Sequence, residues 1–465
     1  MSYQTLEAVD LAFLQDLVGE KRLKTGEAID VDVTHDELKT VVGQPEAWVK
    51  VHHKDEVVAI MRYAHKRHIP VTVRGSGTGL VGACVPVYGG ILLDMTAMDA
   101  IKSLDPINMT VTVEAGVMLL DLAEYVEKEG FFYAPDPGEK TATIAGNIAT
   151  NAGGMRAVKY GVTRDWVRAL EVVTPTGELL KLGGKVVKNS TGYALKDLII
   201  GSEGTLAVIV EATLRLMPKP KVMVSLLAPF SSRETAIKAA QQVITDGVIP
   251  TAVEYMEQET LAYSADFLGR KIPHSDHPAY LLISYDGNDE TLVMRDADQA
   301  SERLVSSLGA VDVYLVDTEE RKESVWSARG AFLEAIKAST PEIDECDVVL
   351  PRSEIGAYLR RVRELAEQFQ TRLPYFGHVG DGNLHIYLCR DALDDTSWVT
   401  LRETLFSVLY DEAVTRGGFI SGEHGIGYAK KTYMAKQLGD SMLALMKGIK
   451  DVFDPHGILN PGKVI

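Results

Sequence analysis

Cysteine is nearly absent from this chain of 465 residues: Cys84, Cys346 and Cys389 stand far apart. Three scattered thiols give no disulfide framework, and a reducing intracellular compartment is the simpler expectation. Iron–sulfur clusters, which need close sets of cysteine ligands, are excluded. Basic charge is also scarce, with 48 Lys and Arg against 65 Asp and Glu and a formal net charge of -17. That field repels nucleic acid but leaves room for a basic protein partner. Long apolar runs are missing, and nothing approaches the roughly 20 residues of a membrane helix. Met1 to Leu17 carries Glu7, Asp10 and Asp16 where a signal peptide has a basic start and a continuous apolar stretch. A cytoplasmic protein with no membrane span is therefore expected. No internal repeat or low-complexity tract is present.

What remains is a typical globular composition, 46% hydrophobic and 24% charged, on a chain long enough for two to four packed units. Trp48 to Val51 reads as a strand. Lys54 to His68 reads as a helix with Val57, Ile60, Met61 and Ala64 on one face. Val71 to Val73 then starts a strand that runs into glycines. Ile91 to Asp94, Thr110 to Glu114, Leu170 to Thr174 and Thr205 to Val210 read as further strands, and Val117 to Gly130 as a helix closed by its glycine. Pro218-Lys219-Pro220 is the clearest boundary, since proline breaks both helix and ladder. Beyond it Val222 to Leu227 predicts a strand and Ser231 to Asp246 a helix, followed by more αβ units. Gly417-Gly418 marks a second boundary. The expected divisions are 1–220, 221–417 and 418–465.

The segment Gly77-Thr78-Gly79-Leu80-Val81-Gly82 formally matches a dinucleotide fingerprint. A Rossmann turn must lead directly into a helix that receives the pyrophosphate. Ala83-Cys84-Val85-Pro86 follows instead, so NAD binding of that kind is rejected. The loop Arg74, Gly75, Ser76, Gly77, Thr78, Gly79 can still cradle a phosphate through backbone N–H groups. A tight surface turn explains the same glycines equally well when they are taken alone. Two more small-residue segments favour the ligand reading: Pro135-Asp136-Pro137-Gly138 leading to Thr143, Ile144-Ala145-Gly146-Asn147 and Asn151-Ala152-Gly153-Gly154, and Gly201-Ser202-Glu203-Gly204-Thr205-Leu206.

In that order these motifs resemble the FAD-binding domain of the vanillyl-alcohol-oxidase (PCMH-type) family, specifically its D-lactate dehydrogenase and glycolate oxidase branch. The resemblance runs over nearly the whole chain. It implies an α+β fold: a two-subdomain FAD domain (1–220), an αβ cap domain for substrate (221–417) and a C-terminal segment returning to the flavin (418–465). The implied FAD contacts are Arg74, Gly75, Ser76, Gly77, Thr78, Gly79, Pro135, Asp136, Thr143, Gly146, Asn147, Asn151, Gly154, Gly161, Glu203, Gly204, Ile209 and Asn460. Some relatives tether FAD through a histidine in the first loop. Thr78 and the absence of histidine there predict non-covalent FAD.

His52, His53, His65, His68, His274 and His277 read as ordinary surface histidines, and His456 as structural. Tyr375-Phe376-Gly377-His378-Val379-Gly380-Asp381-Gly382-Asn383-Leu384-His385 is different, because Gly-Asp-Gly-Asn separates two strand-like runs. With Gly380 to Asn383 as the loop, His378 pairs with His385, their Cβ atoms about 5 Å apart. A polar hairpin is the plain reading and a chelating pair the sharper one. Glu423-His424 between glycines supplies a carboxylate and another imidazole. Two histidines and a carboxylate suit Zn²⁺, Mn²⁺ or Fe²⁺. The resemblance assigns His378, His385 and Glu423 as ligands and His424 as the base. The opposite split, His424 as ligand and Glu423 as base, stays open.

The implied reaction is oxidation of a small D-2-hydroxy acid, D-lactate above all, by proton abstraction and hydride transfer to flavin N5. Trp326-Ser327-Ala328-Arg329 resembles the family's Trp-x-x-Arg segment and implies Arg329 as the carboxylate clamp; by itself such an arginine reads as a solvated helix residue. Asp347-Val348-Val349-Leu350-Pro351 resembles the family's Asp-Val-x-x-Pro strand. Two positions earlier the 2-hydroxyglutarate enzymes carry a lysine and this chain carries Glu345, whose charge is expected to repel a dicarboxylate. Arg321 to Thr340 and Lys159 to Asp165 resemble the bacterial D-lactate dehydrogenases, some of which work with an electron-transferring flavoprotein, and the resemblance implies such a partner as the electron outlet of a chain without clusters or a Rossmann loop. Glycolate or D-2-hydroxyglutarate dehydrogenase is the nearest alternative. A non-catalytic flavoprotein subunit and a zinc hydrolase are the alternatives of other classes. The alkylglycerone-phosphate synthase type carries adjacent active-site histidines, and the only adjacent pair here, His52-His53, lies far from the flavin motifs.

Overall fold

The computed structural model describes residues 3–245, 247–270 and 274–465. The chain divides into two compact units: Met1–Gly153, Val162–Lys219 and His424–Ile465 form the first, Gly154–Gly161 and Pro220–Glu423 the second. Among the described residues no helix is long and apolar enough to cross a membrane.

The first unit holds two main sheets, besides the two-stranded pairing of Phe131–Phe132 with Met217–Pro218. In the smaller, Leu23–Thr25, Ala47–Lys50, Ile91–Asp94 and Val71–Arg74 lie side by side, the last three mutually parallel. The helix Lys54–Arg67 makes the crossover that parallel strands require. Its stripe of Val57, Ile60, Met61 and Ala64 is fully buried in one cluster with Val49, Val71 and Leu93. His68 ends the helix in the left-handed region at φ 56, and Ile69-Pro70 leads into the strand. The larger sheet is antiparallel, in the order Ile101–Asp105, Thr110–Glu114, Val208–Arg215, Val167–Val173, Leu179–Gly183. The element after Val71–Arg74 is the strand Ile91–Asp94, so the helix that a Rossmann turn requires is missing there.

Some elements differ from expectation. The last strand was expected over Thr205 to Val210 and runs over Val208–Arg215 instead, because Gly201 to Thr205 form a turn. Ile144–Thr150 is a short helix, capped by the Thr143 hydroxyl accepting from the Gly146 N–H.

The second unit is built on a seven-stranded antiparallel sheet ordered Tyr314–Val316, Val222–Phe230, Ala279–Gly287, Ala252–Glu257, Tyr375–His378, Asn383–Cys389, Ile343–Val349. One face carries an apolar cluster that includes Met256, Tyr280, Phe332, Phe376 and Tyr387. The helix after Val222–Phe230 spans Arg233–Thr245; Asp246, the expected last residue, lies outside the described residues.

Candidate active site

The first unit gathers the glycine-rich segments. Gly75 lies so close to the Thr143 side chain that a Cβ there would stand 2.2 Å from Oγ1. Gly77 adopts φ +79, and a Cβ would meet the Arg74 guanidinium at 2.0 Å. Ser76 donates to the carbonyl of Thr141 at 2.6 Å. Arg74 itself is buried and donates to the carbonyls of His35 at 2.8 Å and Asp32 at 2.9 Å. Its guanidinium therefore braces the loop from behind. Asp136 pairs with Lys140, and Asn151 accepts from the Arg164 N–H through its side-chain oxygen.

Among the described residues the Asn147 Nδ2 and the Tyr133 hydroxyl are buried without a hydrogen-bond partner. Such groups are costly unless a ligand satisfies them. Bare backbone plus unspent donors fits a flat polar cofactor with a phosphate centre. Gly154 and Gly161 belong to the short segment assigned to the second unit.

Glu203 sits at φ 51, followed by Gly204 at φ 68, and its carboxylate accepts from the N–H groups of Ile426 at 2.8 Å and Gly427 at 2.7 Å. Burial pushes its carboxyl up to about 7, against the backbone hydrogen bonds. The segment after His424 is thus held by Glu203. Asn460 donates to the carbonyls of Ala83 at 3.0 Å and Glu203 at 2.7 Å, tying two of the glycine-rich segments together. Ile209 is buried in the strand Val208–Arg215.

The second unit holds the histidines. The hairpin register differs from expectation: His378 pairs with Asn383, and His385 pairs with Phe376. The turn is Val379 to Gly382, because the N–H groups of both Asp381 and Gly382 bond to the His378 carbonyl. His378 and His385 become diagonal neighbours on one face, ring centroids 5.4 Å apart and nearly perpendicular. The Nε2 atoms lie 3.8 Å (His378) and 3.4 Å (His385) from the same Glu423 oxygen. The three donor atoms all fall within 4.8 Å of one another.

Each ring is aimed by a carboxylate at its far nitrogen. The Nδ1 of His378 is 2.6 Å from Glu254, and the Nδ1 of His385 is 2.8 Å from Glu345. Burial works against charge on both imidazoles, yet these carboxylates prevail and hold His378 well above the ordinary range and His385 above it. Carboxylates behind imidazoles, with the open nitrogens converging on a third acid, are the second layer of support typical of a divalent-metal centre. The donor set fits such an ion.

Two of these residues were not identified from sequence, and a third changes role. Glu254 interrupts the buried strand Ala252–Glu257, and a charge inside such a run is the one available signal. Asp347 is fully buried and accepts from Asn383 Nδ2 at 2.7 Å, Ser421 Oγ at 2.8 Å and the N–H groups of Gly422 and Glu423, which fixes the segment carrying Glu423. Glu345, expected to repel a dicarboxylate, instead holds His385, so it carries no argument about substrate length.

Arg329, on the helix Glu319–Gly330, is buried rather than solvated. It stacks on Phe376 with the guanidinium carbon 4.5 Å from the ring centroid, and its Nε donates to Glu254 at 2.8 Å.

Residues 45–183 match the FAD binding domain family, and residues 219–464 match the C-terminal domain of FAD linked oxidases. The chain belongs to this family of FAD-dependent enzymes, and its FAD-binding fold is of the PCMH type. It is 44% identical over 454 residues to a D-lactate dehydrogenase of Anaerostipes hadrus, covering 96% of this chain and 95% of that protein. It is 37% identical over 432 residues to the glycolate oxidase subunit GlcD of Bacillus subtilis, covering 93% and 91%. A solved p-cresol methylhydroxylase with substrate bound shares the fold, with a TM-score of 0.81 at 16% identity over 98% of this chain and 96% of that one.

Proposed function

We propose that this flavoenzyme oxidises a small D-2-hydroxy acid, D-lactate to pyruvate in first place, and passes the electrons to a partner such as an electron-transferring flavoprotein. The observation that carries the reading is the convergence of His378, His385 and Glu423, each histidine backed by a carboxylate. A 2-hydroxy acid offers a hydroxyl and a carboxylate on adjacent carbons, which suits a cation centre beside an arginine. Relatives named for D-lactate and glycolate support the substrate class.

His378, His385 and Glu423 would hold the divalent cation. Arg74 to Gly79, Pro135 to Asn151, the Gly201 to Ile209 stretch, Gly154, Gly161 and Asn460 would hold FAD. When bound, the cation acidifies the substrate hydroxyl and FAD supplies the acceptor for the hydride from C2. His424 accepts the hydroxyl proton at a ring nitrogen. Arg329 grips the carboxylate with its planar fork. Three scattered cysteines leave no cluster relay within the chain, which supports an external electron acceptor.

Steady-state rates with an artificial acceptor test the substrate. D-Lactate is expected to exceed glycolate and D-2-hydroxyglutarate in kcat/KM by about tenfold or more, the size a single well-fitted contact supplies. A preference for D-2-hydroxyglutarate would replace the monocarboxylate reading. The cofactor loop has its own test. Gly75→Ala places a methyl against Thr143, so the purified variant is expected to hold less than about a tenth of the wild-type FAD, since overpacking costs roughly 1–3 kcal/mol. Absorbance of the flavin relative to protein measures it, and full flavin content would remove Gly75 from the cradle.

A further inference from the structure

The carboxylate of Glu254 serves two groups with separate tasks. One oxygen lies 2.6 Å from Nδ1 of His378. The other accepts from Nε of Arg329 at 2.8 Å and lies 2.6 Å from its Nη2. Glu254 is fully buried, and both partners are nearly so. The strand pairing Tyr255↔Gly377 places Glu254 opposite His378, so the sheet itself fixes this contact. Phe376 underlies the guanidinium and pairs with His385 across the hairpin. Arg329 therefore has a backing acid and a ring to lie on, and the acid is the one that aims His378.

We propose that Glu254 is a positioning residue that sets the separation between the carboxylate-gripping fork of Arg329 and the metal-binding Nε2 of His378. The inference rests on the 2-hydroxy-acid reading. Such a substrate presents its two binding groups on adjacent carbons, so the cation and the arginine must stand at one fixed spacing. A single side chain pinning both supplies that spacing. Metal retention and acid affinity then share a determinant. Glu345 aims the other histidine, so it bears on metal retention first.

The test compares Glu254→Gln with Glu345→Gln in the FAD-loaded protein, using Zn²⁺ as the probe. Zinc affinity is read by competition with a chelator, and KM for D-lactate is read at saturating zinc. Both variants are expected to bind zinc about 10–100-fold more weakly. Glu254→Gln is also expected to raise KM about tenfold or more, the effect of a lost charge-assisted contact. Glu345→Gln is expected to raise KM by less than Glu254→Gln does.

A Glu254→Gln protein altered in only one of the two quantities would overturn the proposal, as would an equal rise of KM in Glu345→Gln. Should Glu254→Gln fail to fold, Arg329→Lys replaces it, because it keeps the charge beside Glu254 but loses the planar fork. A raised KM with zinc affinity lowered several-fold supports the proposal, and unchanged zinc affinity overturns it. Wild-type protein reduced by no 2-hydroxy acid would overturn the functional reading. Wild-type protein that is reduced, with Glu254→Gln uncoupled, would overturn this inference alone.

Discussion

His385→Ala is expected to lower turnover by about a thousandfold and to release the divalent metal while FAD stays bound. The ring contributes one of three donors, its Nε2 3.4 Å from the Glu423 oxygen. A cation in this position is worth several kcal/mol of charge stabilisation, and each 1.36 kcal/mol is tenfold in rate, so a loss of roughly three decades follows. The variant also takes from the buried Glu345 carboxylate its imidazole partner, leaving it the Tyr387 hydroxyl. Losing a hydrogen bond to a charged group costs about 1.5–3 kcal/mol, so a lower thermal midpoint is expected as well. The proposed FAD contacts other than Gly154 and Gly161 belong to the other unit, which is why flavin content is expected to hold. Metal per chain by atomic emission, flavin per chain by absorbance and steady-state rate together check the prediction. Chelation of the wild-type protein should reproduce the loss of rate, and adding back the metal should restore it. One metal per chain with undiminished turnover would remove His385 from the centre.

The second large effect is expected from His424→Ala: kcat lower by about 10²–10⁴-fold, the usual worth of a positioned general base, with metal and FAD both retained. His424 is followed by a segment fixed from beneath, since Ile426 and Gly427 donate to the buried Glu203 carboxylate. Loss of a ring at a braced position removes a proton acceptor without unravelling its support. The same variant separates the two assignments of Glu423 and His424. With His424 as base, His424→Ala keeps its metal and Glu423→Gln loses it. With the roles exchanged, the metal contents reverse. A His424→Ala protein with normal kcat and normal metal would place the base elsewhere.

How much could be read from the residues depended on whether a feature is local. The helix Lys54–Arg67 was legible because Val57, Ile60, Met61 and Ala64 repeat at helical spacing, and all four are buried. The strands Ile91–Asp94 and Thr110–Glu114 were legible from short β-rich runs. Ile144–Thr150 was missed because alanine and glycine give it little amphipathic contrast; Thr143 as a capping residue was the overlooked signal. The hairpin register slipped because Val379, apolar and buried, reads as strand although it belongs to the turn.

Non-local partners are harder. His378, His385 and Glu423 stood out through their glycine-rich surroundings and a family likeness. Glu254 lies 124 residues from His378, and nothing in its own neighbourhood names that partner. Glu345 misled for the same reason: its charge was visible, while its engagement with a histidine 40 residues away was not. The carboxylates behind these imidazoles are placed by strand pairing, and pairing is what a single chain displays least.

The measurement that bears most directly on the central claim is anaerobic titration of the purified, metal-replete, FAD-loaded protein with D-lactate, followed at the flavin absorbance, with L-lactate and D-2-hydroxyglutarate alongside. Rapid bleaching by D-lactate, and by neither of the others, is the predicted result. A flavin that stays oxidised with all three acids would contradict the account and return the protein to the reading of a non-catalytic flavoprotein subunit.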